Sequence, residues 1–337
     1  MHCGGKRVAR EPGVGALLGM DPSIERVRQM IERVAPTGIP VLLSGETGTG
    51  KKLAATAIHA HSPRAGRPFV RLHCAALTQP TLESELFGHE PGAFPGSVAR
   101  REGRLEKADG GSLFLDEISE IPLGAQRKLL GFLHGRGFER VGGHETIRAD
   151  VRVIAATRRN LREEVAAGRF REDLFDRLGI LHVELPPLRE RRSDIRLLAG
   201  MLLAHLAEQH GRPVDGFTPE ALEMLLAYPW PGNVRELENA IERAVVMAGE
   251  RWIQPEHLEP ALGGKPPGVA TPRIPGSTLA EIERVAILRT LEAVGGSTSR
   301  AAAMLGISTR KIQYRMREYR EVGLLGSVPS AAPRDAH

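Results

Sequence analysis

The stretch Val41-Leu42-Leu43-Ser44-Gly45-Glu46-Thr47-Gly48-Thr49-Gly50-Lys51 decides the fold. An apolar run, read as a buried strand, breaks into glycines. The residues that follow, Leu53-Ala54-Ala55-Thr56-Ala57-Ile58, have helix-forming composition. A strand that ends in glycines and opens a helix makes a nest of backbone N–H groups. That nest and the helix N-terminus favour negative charge, and Lys51 is placed to reach terminal phosphates. Gly45, Glu46, Thr47, Gly48, Thr49, Gly50 and Lys51 therefore form a candidate ATP-binding loop. One position departs from the pattern: Lys52 stands where a Ser or Thr usually follows the lysine and touches magnesium.

A chain of 337 residues has room for about two domains. Its apolar share of 41% and charged share of 26% exclude the collagen-like and disordered classes. The net charge of +5 hints at an anionic partner, although where the charge sits matters more. Two cysteines, Cys3 and Cys74, make neither a disulfide framework nor a zinc site. No apolar run approaches the roughly 18–20 residues of a membrane span, and the N-terminus has no signal-peptide core. The expected location is cytoplasmic, with no membrane partner.

Working outward, residues 1–16 are rich in Gly and Arg and read as a flexible arm. Ile24, Val27, Met30, Ile31 and Val34 recur at helical spacing. Three further strand-like runs follow the glycine loop, at residues 68–72, 112–115 and 151–155, with helical patterns between them. Alternating β and α predicts a parallel sheet with helices on both faces. After Leu185-Pro186-Pro187-Leu188 the strands stop and residues 194–260 read as helical, broken at Tyr228-Pro229-Trp230-Pro231-Gly232-Asn233. The expected boundaries are an α/β subdomain over 17–190, a small helical subdomain over 191–260, a Pro/Gly-rich linker over 261–278, a short helical module over 279–325 and a disordered tail over 326–337.

A second phosphate-site signal lies about 65 residues past the loop, in Gly110-Gly111-Ser112-Leu113-Phe114-Leu115-Asp116-Glu117. A strand ending in two acids sets Asp116 to hold magnesium through water. Glu117 is then placed to polarise a water aimed at a γ-phosphate.

The C-terminal part carries different chemistry. Leu279, Ile282, Val285, Ala286 and Leu291 make an amphipathic helix suited to pairing with a second copy. Ser299 to Ser308 then reads as helix, tight turn and helix start, with Gly306 suited to a left-handed turn and Ser308 to a cap. In the next helix Ile312, Met316 and Tyr319 point inward, while Arg310, Gln313 and Arg317 lie opposite. Arg300, Thr309, Arg310, Lys311, Gln313, Arg315 and Arg317 are the candidate DNA contacts. Between Ser297 and Arg320 six bases accompany one acid, Glu318, the expected footprint for phosphate contacts.

Taken together, the loop, Glu85-Leu86-Phe87-Gly88-His89-Glu90 and Phe114-Leu115-Asp116-Glu117-Ile118 resemble the AAA+ domain of bacterial enhancer-binding proteins, the sigma-54-dependent transcription activators. The likeness continues through Ala155-Ala156-Thr157, Gly168 to Leu174, Leu185 to Arg191 and Trp230 to Leu237, and covers roughly residues 17–323. The end of the chain resembles their Fis-type helix-turn-helix. The resemblance implies an α/β P-loop NTPase with a helical lid and an all-α DNA-binding domain. It implies that Arg171 and Arg177 are arginine fingers reaching a neighbour's ATP, with Arg235 the lid's sensor and Thr157 the sensor beside the loop. It also implies DNA-bound dimers that assemble into hexameric or heptameric rings, with ATP and Mg2+ as cofactors and sigma-54 RNA polymerase as partner. Members of the family usually carry a receiver or sensory domain before the ATPase, and the 16 residues ahead of it here read as no such domain.

Four positions depart from that family's pattern. The sigma-contacting loop, Gly-Ala-Phe-Thr-Gly-Ala in the family, is Gly92-Ala93-Phe94-Pro95-Gly96-Ser97. His73 replaces an Asn that acts as a switch on the catalytic glutamate. Arg158 follows Thr157 in place of Asn or His, and Lys52 replaces a glutamate. The function expected is a DNA-bound ring ATPase that remodels sigma-54 RNA polymerase. The alternative is a DNA-binding regulator that binds ATP for assembly but no longer activates sigma-54, because of Pro95 and His73.

Overall fold

The computed structural model describes residues 17–249, 251–259, 261, 278–294 and 297–321. The arm, most of the linker and the tail expected from sequence lie outside them. Two compact units divide between Gly264 and Lys265.

Five parallel strands form the centre of the first unit: β1 (Val41–Ser44), β2 (Phe69–His73), β3 (Ser112–Asp116), β4 (Arg152–Thr157) and β5 (Leu181–Glu184), in the order β2-β3-β4-β1-β5. Every residue of β3 and β4 is buried, as expected when helices cover both faces. Alternation sorts the side chains. Val41, Leu43, Phe114, Ile154 and Val183 pack with Ile24, Val27, Ile31 and Ile58 on one face. Leu42, Leu72, Leu113, Leu115 and Val153 pack with Leu82, Leu86, Leu129 and Leu174 on the other. Ser44 pairs with Thr157 and with Glu184, and His73 pairs with Asp116. The carboxyl ends of the strands therefore form one edge, the usual ligand edge of an open α/β sheet.

The helix Pro22–Val34 opens on Asp21, whose carboxylate accepts from the Ser23 N–H, and buries four of the five predicted apolar positions; Met30 is exposed. Its C-terminus is tied to the sheet by Arg152. That buried guanidinium donates to the carbonyls of Ala35 and Val34 at 2.6 and 2.7 Å. A cation there also opposes the negative end of the helix dipole.

Two expectations about the first unit are corrected. A fifth strand, β5, follows the three predicted after the loop. It is a four-residue edge strand in which only Val183 is buried, so it lacks the apolar run that marked the others. The lid is also not helical throughout. Gly216–Phe217 and Trp252–Ile253 pair as short parallel strands beside the helices Ser193–His210, Pro219–Ala227 and Asn233–Met247. Trp230, fully buried, fills the lid's core and donates its indole N–H to the Leu225 carbonyl at 2.8 Å.

The second unit contains the helices Leu279–Ala293, Thr298–Leu305 and Thr309–Glu321. Ile287, Leu291, Ala301, Ala302 and Ile312 form its core. The turn is built as the sequence predicts. Gly306 is left-handed at φ 66°, and the Ser308 hydroxyl accepts from the Lys311 N–H at 3.2 Å. Leu291, assigned from sequence to a pairing face, lies instead in this unit's own core.

Candidate functional site

Gly45, Gly48 and Gly50 all have positive φ, at 143°, 83° and 107°. Gly48 also has no room for a side chain, since a Cβ would stand 2.1 Å from the Gly232 carbonyl oxygen. Lys51 begins the helix Lys51–Ala60 and is buried. Its ammonium donates to the carbonyls of Gly45 and Glu46 at 2.6 and 3.0 Å. Burial pushes the Lys51 pKa down, and the charges of Glu117 and Asp116 oppose that shift. A buried cation beside a glycine-rich turn at a helix N-terminus is chemically suited to receive a phosphate.

The register of the sheet brings the two acids to this loop. Thr47, Gly48, Lys51, Lys52, His73, Asp116, Glu117, Arg158 and Arg235 line one cleft of about 560 Å3. Asp116 is buried, and its Oδ2 faces Lys52 Nζ at 3.5 Å and His73 Nδ1 at 3.2 Å. Glu117 has a left-handed backbone, φ 57° and ψ 56°, uncommon for a residue with a side chain. Its Oε2 accepts from the backbone N–H of Arg158 at 3.3 Å and lies 3.8 Å from that residue's Nε. His73, which stands at the switch position of the family, lies against Asp116, and the group against Glu117 is Arg158. As an oxygen cage for magnesium the arrangement does not fit. The position after Lys51 presents an ammonium where a hydroxyl would serve, and Lys52 and His73 already share the Asp116 carboxylate.

The lid closes on the loop through residues that sequence reasoning quoted in motifs without assigning roles. Asn233, fully buried and left-handed at φ 56°, donates its amide to the Thr47 carbonyl at 3.0 Å and to Glu46 at 3.1 Å. Its amide oxygen accepts from the Leu188 N–H at 2.7 Å. Glu46 makes a two-pronged ion pair with Arg189, at 2.7 and 2.6 Å. Hydrogen bonds from Arg189 and then Asn233 hold its pKa down to about 2. Arg191, buried, donates to the Thr49 carbonyl at 3.1 Å. Arg235 follows on the same helix and lines the cleft. Thr157, also buried, turns its hydroxyl to the Arg159 carbonyl at 3.1 Å.

Arg171 and Arg177 are not among the residues lining this cleft. Arg171 pairs with Asp173 through two contacts of 3.0 and 2.7 Å, and its N–H is held by the buried Gln126 at 2.8 Å. Arg177 donates to the Leu133 carbonyl at 3.0 Å.

In the loop Gly92–Ser97, the Ser97 N–H donates to the Phe94 carbonyl at 3.0 Å, and Gly96 has φ 97°. A β-turn with Pro95 second and a left-handed Gly96 third is a type II turn, where proline is favoured and its missing N–H costs nothing. The Ser97 hydroxyl closes the turn a second time, donating to the Phe94 carbonyl at 2.7 Å. Phe94 is half-buried and edge-on to His89, with ring centroids 5.0 Å apart.

On the second unit, Arg300, Arg310 and Gln313 are exposed, and Thr309 is half-buried. Lys311 and Arg315 are both tied to Glu283 of the first helix, at 2.7 and 2.8 Å, and Arg315 also meets Glu318 at 2.7 Å. Glu283 is an acid that counting from Ser297 onward left out. The side chain of Arg317 lies outside the described residues.

Among known families, residues 17–184 match the sigma-54 interaction domain, residues 189–273 the AAA+ ATPase lid domain, and residues 278–319 the bacterial regulatory protein Fis family. The transcriptional regulatory protein ZraR of Klebsiella oxytoca is 50% identical over 297 residues, 88% of this chain and 67% of that protein. The Nif-specific regulatory protein of Azotobacter vinelandii is 48% identical over 89% of this chain and 58% of its own length. Among solved structures, NtrX from Brucella abortus in complex with ATP has a TM-score of 0.68 at 35% identity, covering 92% of this chain and 70% of that one. Its complex with ADP has a TM-score of 0.70 at 34% identity, covering 91% and 69%.

Proposed function

The chain belongs to the family of sigma-54-dependent transcriptional regulators, and we propose that it hydrolyses ATP to remodel sigma-54 RNA polymerase from a DNA-bound ring. The observation that carries this reading is the register that brings Asp116 level with Leu43 across Ala156, so that Asp116, Glu117, Lys51 and Arg235 line one cleft. The loop N–H groups and Lys51 receive the phosphates, and Arg235 approaches from the lid. Glu117 orients a water for in-line attack on the γ-phosphorus. The bond to the bridging oxygen breaks, and ADP and phosphate leave. Arg171 and Arg177 lie off their own chain's cleft, which supports a role at a neighbour's ATP. Such a role needs an assembly.

The second unit holds the machine to DNA through Arg300, Arg310 and neighbouring positions. The output is the loop carrying Phe94, and its type II turn gives Pro95 a place without loss of a turn hydrogen bond. The test is ATP turnover measured across protein concentration, together with open-complex formation on a sigma-54 promoter. Turnover per chain that rises with concentration and vanishes in Glu117→Gln and Arg171→Ala is expected, with promoter opening that follows turnover. Turnover independent of concentration would overturn the shared site. Turnover without opening would overturn the coupling to sigma-54.

A further inference from the structure

Two of the positions where this chain departs from its family meet at one carboxylate oxygen. Lys52 Nζ lies 3.5 Å and His73 Nδ1 3.2 Å from Asp116 Oδ2. Asp116 is the acid that would serve a divalent ion, and its side chain is 9% exposed, so water screens it poorly. Lys52 comes from the first turn of the helix after the phosphate loop, the position that in other phosphate loops offers a hydroxyl to the metal. A positive charge is therefore carried into the place where a divalent cation otherwise sits between phosphate and carboxylate. An ammonium there repels a second cation and supplies part of the phosphate neutralisation itself.

We infer that Lys52 stands in for the divalent cation at Asp116, so that nucleotide binding by this chain is largely independent of magnesium. The inference rests on reading the cleft as the ATP site. It assigns Lys52 a role opposite in sign to that of the glutamate the family usually has there. Lys52 is about half exposed, which leaves its ammonium able to swing from Asp116 to an incoming phosphate without refolding the loop.

The test is equilibrium binding of a fluorescent N-methylanthraniloyl ADP to the full chain, titrated in magnesium and again in excess EDTA. Wild type and Lys52→Arg are expected to keep their affinity to within about twofold when magnesium is removed, while Lys52→Ser is expected to lose about tenfold or more. A tenfold loss by wild type in EDTA would overturn the inference and leave the ATP site standing. Equal insensitivity of wild type and Lys52→Ser would remove Lys52 from the role. Wild type binding under neither condition would overturn the ATP reading, and the inference with it. Should the serine variant not fold, the two wild-type titrations still decide.

Discussion

The side-chain amide of Asn233 donates to the carbonyl oxygen of Thr47 at 3.0 Å, fastening the lid helix to the phosphate loop through one fully buried residue. The same amide bonds Glu46 and accepts from the Leu188 N–H. Truncation to alanine leaves a buried N–H and a carbonyl unpaired, at about 1–3 kcal/mol. It also forces a β-carbon without a compensating polar group into a left-handed backbone, at about 1–2 kcal/mol. Asn233→Ala is therefore expected to lower the thermal midpoint and weaken nucleotide binding together. Asn233→Gly, which removes only the bonds, should melt above the alanine variant. Thermal unfolding of the three proteins checks the order, and an unaltered midpoint in Asn233→Ala would show that the lid is held elsewhere.

Glu46 gives a prediction in pH. Its carboxyl is held down to about 2 by hydrogen bonds from Arg189 and Asn233. A carboxylate with a depressed native pKa binds protons more readily when unfolded. The stability it contributes is present above the unfolded value near 4.5 and is lost as pH falls toward about 2. The Glu46 side chain is 42% exposed and its partner 41%, so solvent screening keeps the contribution of the ion pair to under about 1 kcal/mol. The difference in urea midpoint between wild type and Glu46→Gln should be constant from neutral pH to about 5 and shrink below it. A difference that grew on acidification would reverse the sign assigned here.

The turn at Pro95 makes a prediction about the output loop. Proline second in a type II turn restricts the unfolded chain, so Pro95→Thr should lower stability by only about 0.4–1 kcal/mol. Gly96→Val places a β-branched residue at φ 97° and should open the turn, releasing Phe94 from His89. ATP turnover is expected to be nearly unchanged in both, because no residue of the loop lines the cleft. Promoter opening should fall in Gly96→Val and be equalled or raised in Pro95→Thr. Opening unaffected by Gly96→Val would separate the turn from the output.

The strand β3 and the phosphate loop were legible because burial on both faces leaves continuous apolar runs that end in functional residues. β5 was not, since an edge strand of four residues with one buried side chain has too short a pattern to separate from a loop. Asn233 and Glu46 were visible as motif members, but their contact joins positions 187 residues apart, and no local spacing encodes it. The same holds for His73. The family resemblance gave it the position of a switch on Glu117, whereas the pairing of β2 with β3 sets it beside Asp116. Helix phase correctly turned Ile312 and Tyr319 inward, because a 3.6-residue period is a local property.

The Glu283 ion pairs divide the candidate DNA contacts into two kinds. Lys311 and Arg315 are paired with Glu283, 2.7 and 2.8 Å away, with Lys311 still about half exposed, while Arg300, Arg310 and Gln313 are exposed on the unit's surface. Removing an exposed base that meets phosphate should weaken DNA binding uniformly across sequences and reduce the salt slope by about one. Arg310→Ala is therefore expected to lower affinity about tenfold with a shallower salt dependence. Lys311→Ala should act mainly on the fold, lowering the melting temperature of the second unit with a smaller change in slope. Glu283→Gln distinguishes the two accounts. It frees both bases from their acid, and tighter, more salt-sensitive DNA binding is expected. Weaker binding in Glu283→Gln would mean that the acid positions Lys311 and Arg315 for the phosphate instead of holding them back.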